Sequence, residues 1–236
     1  MKNFKQEFYE KSYKKELKLR SSYGWLYQLF KNYETHREDS VFSLISKGSR
    51  MLDVGCGNGR LIFRSLDKFD MLVGIDINTQ GLKEAKKILS HCPQITRKKV
   101  KFLHYDADLK LPFMANYFDT VTLVAVLEHL FDPVNLAAEL KRILKKSGEL
   151  IIQVPNLGFL PRRIAVLLGN LPVTSEDETG WDGGHLHYFT IKSIVNLLEN
   201  KGFSIDKITC SGIFANLRSW WVSLLGADII IKAKKK

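Results

Sequence analysis

The chain has few of the residues that mark secreted, disulfide-rich or membrane-spanning proteins. Its 236 residues include only three cysteines, Cys56, Cys92 and Cys210, and none belongs to a Cys-x-x-Cys pair. This spacing excludes a disulfide framework and gives no sign of a metal site. No apolar run reaches the roughly 18 residues that a membrane span needs, and the lysines after Met1 lead into charge instead of an apolar signal region. We therefore expect a cytoplasmic protein.

Acidic residues are also scarce relative to basic ones, and the formal net charge is +11. Lysines and arginines crowd residues 11–20 and the last five positions. Such clusters attract polyanions or anionic lipid surfaces, although a solvated basic surface explains them equally well. No nucleic-acid-reading motif accompanies the charge, and the aromatic residues are not interleaved with it on a single stretch as a base-stacking platform requires. We therefore expect no nucleic-acid partner.

A glycine-rich loop is the most informative feature that the chain does have. Gly55, Gly57 and Gly59 follow a strand-like apolar segment, so the backbone can turn sharply and its N–H groups can approach a ligand. A dinucleotide-binding loop would place its third glycine at Arg60, and no Gly-Lys-Ser/Thr ending is present, which disfavours a dehydrogenase and a phosphate-binding loop. Roughly 20 residues later, Asp76 ends a second apolar run and can accept two ribose hydroxyls.

Further motifs follow this loop in a fixed order: 105–108, 111–113, 118–119, 126–130, 132–133, 145–149 and 154–156. Over residues 49–156 the chain resembles the class I S-adenosylmethionine-dependent methyltransferases. It is also similar to a methyltransferase-like family linked to methionine biosynthesis. This resemblance implies a Rossmann-like, doubly wound α/β fold. Its seven-stranded sheet is mostly parallel, and the antiparallel last strand inserts beside the fifth.

The resemblance assigns the cofactor S-adenosylmethionine to a set of residues at the ends of successive strands. The residues implied are, for the methionine part, Asp53, Gly55, Cys56, Gly57, Gly59, Val124 and Ala125; for the ribose, Asp76; and for the adenine, Ile77, Asp106 and Ala107. Asp108 competes with Asp106 for the adenine amino group.

Three histidines are candidate proton acceptors in catalysis. His185 and His187 lie just before a predicted helix whose N-cap is Thr190, in the region where the resemblance places the acceptor, and either one can act as a general base. His129 follows Glu128, but the resemblance favours a structural role for this pair. Metal binding by His185 and His187 lacks a third ligand of clear spacing, so we predict no metal.

The alternation of apolar periods predicts strands at 51, 71, 100, 120, 150, 204–209 and 228–232, with helices between most of them. We expect a helical cover over residues 1–48, with helices at 4–19 and 25–45, and a methyltransferase core over 49–236. A long connection at about 156–190 is expected to be a substrate lid. Residues 160–169 and 213–225 read as apolar helices that bear arginine or tryptophan, suited to a lid, a dimer contact or a membrane interface.

These features predict methyl transfer to a hydroxyl, or less readily to a nitrogen or carbon, of a small or lipid-linked acceptor, with peripheral membrane contact as an option. The alternative is a regulatory module that binds S-adenosylmethionine, assists a partner enzyme and transfers nothing. Neither the acceptor nor the oligomeric state follows from the sequence.

Overall fold

The computed structural model describes residues 34–175 and 182–236. Its centre is a seven-stranded sheet in the order β4-β3-β2-β5-β6-β9-β7, and a separate two-stranded sheet pairs β1 with β8. The strands are β1 (Glu34–Thr35), β2 (Arg50–Val54), β3 (Met71–Asp76), β4 (Val100–His104), β5 (Phe118–Val124), β6 (Leu144–Pro155), β7 (Phe203–Thr209), β8 (Gly212–Ile213) and β9 (Asp228–Lys235).

Helices connect most of these strands, and side-chain caps fix where several begin. The α-helices of the described residues are α1 (Arg37–Leu44), α2 (Arg60–Arg64), α3 (Thr79–Ser90), α4 (Gln94–Lys99), α5 (Pro133–Ile143), α6 (Leu160–Leu167), α7 (Ile191–Asn200), α8 (Ala215–Arg218) and α9 (Val222–Leu225). Asn78 caps α3 and Asp132 caps α5, each by accepting backbone N–H groups of the first turn. Thr190 caps α7, as predicted.

The sheet is buried on both faces, which explains its nearly continuous apolar strands. Strands β2, β3, β4, β5 and β6 are mutually parallel, whereas β9 runs antiparallel to both β6 and β7. One apolar cluster, centred on Leu123 and Ile152, fills one side of the sheet. A second, centred on Met51 and Leu72, fills the other. The predicted fold, including the antiparallel strand beside the fifth strand of the sheet, is confirmed.

Two predicted helices are wrong in part. The helix expected over 25–45 is helical only at Arg37–Leu44 within the described residues, because Glu34–Thr35 pairs antiparallel with Gly212–Ile213. The helix expected over 213–225 is broken, because Phe214 has a left-handed backbone (φ +55°) and the chain continues as α8, a 3-10 turn and α9. The helix predicted at 4–19 lies outside the described residues.

The basic C-terminal end is part of the sheet. The Lys232 ammonium is 2.7 Å from a carboxylate oxygen of Glu149, and the Lys235 ammonium donates to Asn116 at 2.8 Å. These contacts anchor β9 to its surroundings. No helix among the described residues has the length and apolar character to cross a membrane.

Candidate functional site

The candidate site lies where parallel strands end on one edge of the sheet. The loops after β2, β3 and β5 meet at this edge, in the place where open α/β sheets bind ligands. The N–H groups of Gly55 and Cys56 donate to the Ile75 carbonyl of β3, at 2.8 and 3.0 Å. These bonds fix the glycine loop against the neighbouring strand.

The glycines of this loop are required by both conformation and space. Gly55, Gly57 and Gly59 all have positive φ, at +73°, +52° and +77°. A Cβ on Gly55 would be 2.2 Å from Val126, and one on Gly59 would be 2.6 Å from the Phe102 ring. A Cβ built on Gly57 would have no other atom within 4 Å, so the backbone there is open to a ligand.

Asp76 lies at the end of β3 with its carboxylate turned toward the glycine loop. One of its oxygens accepts the Gly57 N–H at 2.7 Å, and the other accepts the Asn78 N–H at 2.6 Å. Burial raises the pKa of this carboxyl, while the two N–H bonds act to lower the pKa. The cap of α3 is Asn78, so Asp76 is left to orient the loop, and each of its oxygens keeps a lone pair for a ligand hydroxyl.

Asp53 is the second carboxyl of the loop region, and it is only 3% exposed. The Thr122 hydroxyl of β5 donates to it at 2.6 Å. Burial, and then the charges of Asp76 and Glu38, raise its pKa to about 7, against the lowering effect of Thr122. A buried carboxyl in acidic surroundings is stabilised in its charged form by a cation, which suits the ammonium or sulfonium of the predicted cofactor.

The predicted adenine residues follow β3 and β4. Asp106 accepts the Asp108 N–H at 3.0 Å, and Asp108 accepts the Phe131 N–H at 2.8 Å. Asp108 therefore ties this loop to the start of the segment before α5. Ile77 and Ala107 are both partly buried beside these loops.

The end of β5 forms the floor of the site. Val124 is the last residue of the strand, and Ala125 has a left-handed backbone (φ +54°) while its N–H donates to Gln153. A non-glycine residue in this conformation is costly and is concentrated at functional sites. The turn brings Val126 against Gly55 and starts the 3-10 turn at residues 127–129.

Two of the three predicted histidines meet at this turn. The rings of His129 and His185 are 4.6 Å apart between centroids, with an interplanar angle of 60°. The N–H groups of Leu186 and His187 both donate to the Glu128 carbonyl, which attaches the 185–187 loop to the turn. The His187 ring is 6.5 Å from the Phe189 ring, and His187 is absent from the cluster of ligand atoms that Glu128, His129 and His185 form.

His185 is buried, and its tautomer follows from its partners. The Thr174 hydroxyl donates to Asp182 and lies 2.7 Å from His185 Nδ1. Since that hydroxyl proton is committed to Asp182, Nδ1–H of His185 is the donor to Thr174, and Nε2 carries a lone pair. Burial lowers the pKa of His185, Asp182 acts to raise it, and Arg162 acts to lower it. The imidazole is therefore neutral at pH 7.

Glu128 lies beside these histidines and is 1% exposed. Neither of its carboxylate oxygens has a hydrogen-bond partner among the described residues. Burial raises its pKa to about 8, while its own backbone N–H and then the charge of Arg37 at the start of α1 act to lower the pKa. A buried carboxyl without a partner is rare and needs a functional explanation.

Several residues of this site carry no motif in the sequence. Thr122 holds Asp53, and Thr174 and Asp182 hold His185. Gly81 in α3 packs so closely on the loop that a Cβ there would be 2.9 Å from the Gly57 carbonyl carbon. The chain position of Gly81, in the first turn after an Asn cap, was the only signal for it.

Comparison with known proteins gives a consistent result. The family model "Methionine biosynthesis protein MetW" matches residues 36–230. The ubiquinone biosynthesis O-methyltransferase of Haemophilus ducreyi is 31% identical over 190 residues, which cover 75% of this chain and 76% of that protein. The tRNA U34 carboxymethyltransferase of Pseudomonas putida is 34% identical over 108 residues, which cover 45% of this chain and 33% of that protein.

Solved structures show the same fold. A SAM-dependent methyltransferase from Thermotoga maritima has a TM-score of 0.65 at 18% identity, and the match covers 98% of this chain and 100% of that one. The chain spans between a third and three quarters of the length of the two curated relatives above.

Proposed function

Because this chain belongs to the MetW family of class I S-adenosylmethionine-dependent methyltransferases, we propose that it methylates a hydroxyl of a small or lipid-linked acceptor. The cofactor is S-adenosylmethionine. It supplies an electrophilic methyl group on a sulfonium, so the protein has to align the acceptor oxygen and remove its proton.

The loop after β2 suits this cofactor. The open backbone at Gly57 and the paired oxygens of Asp76 match a ribose with two hydroxyls. The buried carboxyl of Asp53 matches a cationic amino acid moiety. Asp106 and Ala107, with Ile77, are proposed to contact the adenine, and Val124 and Ala125 to line the methionine end.

One observation carries the choice of a hydroxyl acceptor: the rings of His129 and His185 are 4.6 Å apart, and the contact of Thr174 with His185 Nδ1 leaves Nε2 with a lone pair. The Nδ1 side of His185 is held by Thr174 and Asp182, an arrangement that supports a proton acceptor. We therefore place ionisation of the acceptor hydroxyl at the pair His129 and His185. His187 stays a predicted alternative.

The acceptor class is inferred from an apolar surface that adjoins this site, because Arg162 of α6 donates to the Thr174 carbonyl at 3.4 Å and Thr174 contacts His185. It is formed by α6 together with residues 213–225, which we name the apolar rim. The two parts are adjacent, because Arg163 donates to the Ser223 carbonyl at 3.3 Å, and the guanidinium groups of Arg162 and Arg218 both lie over the Phe159 ring. Exposed leucines and tryptophans beside arginines are typical of a surface that contacts lipid.

Two alternatives make different predictions. The similarity to a tRNA carboxymethyltransferase suggests a nucleic-acid acceptor as one alternative. The absence of a base-stacking stretch next to the basic residues of the sequence argues against it. A module that binds the cofactor and assists a partner is the second alternative. The curated relatives named above are transferases, which favours transfer over this alternative.

The test is transfer of radiolabelled methyl from S-adenosylmethionine into a cell extract that is then separated into lipid, small-molecule and macromolecular fractions. The Asp76→Ala protein is the blank. We expect label in the lipid or small-molecule fraction, in a form stable to conditions that cleave methyl esters. Label in the macromolecular fraction would favour the nucleic-acid alternative, and no label with a protein that binds the cofactor would favour the regulatory module.

A further inference from the structure

Glu128, His129 and His185 form a compact group of metal-ligating side chains. One potential ligand atom from each lies within 4.8 Å of the other two. We propose that these three residues bind a single divalent transition-metal cation of the zinc type, next to the place where the acceptor hydroxyl enters.

The carboxylate of Glu128 is the strongest reason for a cation. The residue is 1% exposed, and neither carboxylate oxygen has a hydrogen-bond partner among residues 34–175 and 182–236. Burying an ionisable group without a partner is unfavourable, whereas coordination to a metal satisfies it. The charge of Arg37 in α1 acts on this carboxyl, but no hydrogen bond from Arg37 to it is present among the described residues.

Both histidines are held in the way that metal-ligating histidines are held. His185 Nδ1 contacts Thr174 at 2.7 Å, and His129 Nδ1 is 3.4 Å from the Gly184 carbonyl oxygen. Metal ligands of this kind usually donate one ring N–H to a carbonyl, hydroxyl or carboxylate, which fixes the ring and directs the other nitrogen to the metal. Asp182 completes this support at 3.7 Å from Nδ1 of His185.

The ligand set indicates which cation is favoured. Two imidazoles and one carboxylate suit Zn²⁺, Fe²⁺, Co²⁺ or Mn²⁺ better than Mg²⁺ or Ca²⁺, which prefer oxygen ligands. Tetrahedral ligands at about 2.1 Å from zinc are about 3.4 Å apart, so small side-chain rotations close the observed spacing. Three protein ligands leave at least one coordination position for a water or an acceptor oxygen.

The role of the cation rests on the proposed function, but the binding site does not. A hydroxyl bound to a divalent cation ionises at a lower pH than a free one. With the cation bound, the acceptor proton would leave to water, and His129 and His185 would act as ligands and not as the proton acceptor. The sequence paired His185 with His187 and offered no third ligand. The structure instead brings His185 to Glu128 and His129, which are more than 50 residues earlier in the chain.

The test uses cobalt, because its visible absorption reports the coordination directly. The full-length protein is stripped with a chelator and titrated with Co²⁺ in the absence of cofactor and acceptor. We expect one Co²⁺ per chain with d–d bands of a four- or five-coordinate site, and displacement by Zn²⁺. Glu128→Gln and His185→Gln should each weaken binding at least tenfold, whereas His187→Gln, in the same loop, should leave the affinity unchanged.

Circular dichroism and S-adenosylmethionine binding check that each variant is folded, and His129→Gln replaces any that is not. Octahedral cobalt spectra with millimolar affinity, or binding that survives Glu128→Gln and His185→Gln, would overturn the proposal. If Co²⁺ binds as expected but no hydroxyl is methylated, the proposed function fails while the metal site stands. If methyl transfer occurs equally in chelator-treated protein that does not bind Co²⁺, the metal site fails alone.

Discussion

At the scale of single residues, the three buried carboxyl groups of this site differ in their hydrogen-bond partners. Asp76 accepts two backbone N–H groups, Asp53 accepts one hydroxyl, and Glu128 has no hydrogen-bond partner among the described residues. All three have a pKa raised by burial. We therefore propose a different ligand for each: ribose hydroxyls for Asp76, a cationic amino acid end for Asp53 and a metal cation for Glu128.

The role of Asp76 is tested by Asp76→Ala. The change removes the proposed acceptor of both ribose hydroxyls and leaves the Gly57 N–H without its partner. Hydrogen bonds to a charged group contribute about 1.5 to 3 kcal/mol, so we expect S-adenosylmethionine affinity, measured by calorimetry, to fall by roughly 10- to 150-fold. Asp70→Ala, an exposed carboxylate just before the same strand, is the matched control. Equal affinity of both variants and the original protein would place the ribose elsewhere.

Asp53 makes a prediction about pH. An aspartate with a pKa of about 7 in the folded state and 3.8 when unfolded holds its proton more tightly on folding. Its contribution to stability is present below about pH 4 and is lost as the pH rises toward 7. Asp53→Asn removes this dependence and keeps the bond from Thr122, so it should gain about 2 to 3 kcal/mol relative to the original protein between pH 5 and pH 8.

The measurement is denaturant unfolding of both proteins without cofactor at the two pH values. Other titrating groups cancel in the difference between variant and original. A difference that does not change with pH would mean that Asp53 is already ionised in the cofactor-free protein at pH 5.

At the scale of elements, helix α3 fixes the position of the glycine loop by packing against Gly57. Gly81 lets the helix approach until its backbone contacts Gly57. With Gly81→Ala, the new methyl would be 2.9 and 3.0 Å from the Gly57 carbonyl carbon and oxygen, and these backbone atoms must shift. We expect cofactor affinity to fall about tenfold, while the higher helix propensity of alanine, about 1 kcal/mol, offsets much of the loss in stability.

Gly169→Ala is the control for this change. Gly169 has φ +77°, and a methyl group added there would have no atom within 4 Å, so its substitution should cost about 1 to 2 kcal/mol of stability through backbone strain. Its cofactor affinity should be unchanged. If both variants lose affinity equally, the effect is general destabilisation and not the contact between α3 and the loop.

Elements determined by neighbouring residues in the sequence were predictable, and those determined by contacts between distant parts of the chain were not. The strands at Met51 and Met71 and the turn at Gly55 follow from apolar runs and glycine spacing, and the Thr190 cap follows from its neighbours. By contrast, β1 exists only because Glu34 and Thr35 meet Gly212 and Ile213 in space. No period in the sequence encodes that pairing.

The site shows the same division. The predicted cofactor residues lie at strand ends in motif order, whereas the cluster of Glu128, His129 and His185 depends on the loop before α7 returning to the turn after β5. The backbone bonds from Leu186 and His187 to Glu128 make that return. The sequence singled out His185 and His187 and predicted no metal. Spacing along a loop does not determine that the His185 ring meets His129 and not His187.

At the scale of the whole molecule, charge and apolar surface make different predictions about a lipid-linked acceptor. Two of the C-terminal lysines already form ion pairs within the protein, since Lys232 contacts Glu149 and Lys234 lies 3.4 Å from Asp206. The apolar rim is instead open to solvent: Leu167 and Trp220 are each 85% exposed. We therefore expect apolar insertion, and not the C-terminal charge, to dominate any contact with a lipid surface.

Co-sedimentation with anionic vesicles tests this expectation. Burying one leucine and one tryptophan contributes about 1.5 to 3 kcal/mol each. The double variant Leu167→Ser, Trp220→Ser should therefore lower the vesicle partition coefficient by at least about tenfold. Lys234→Gln should change it little. The Debye length falls from about 10 Å in 0.1 M salt to about 3 Å in 1 M salt. Binding by basic residues is therefore lost at high salt, whereas apolar binding persists. Protein that stays in the supernatant at low salt would count against a lipid-linked acceptor and leave a small soluble one.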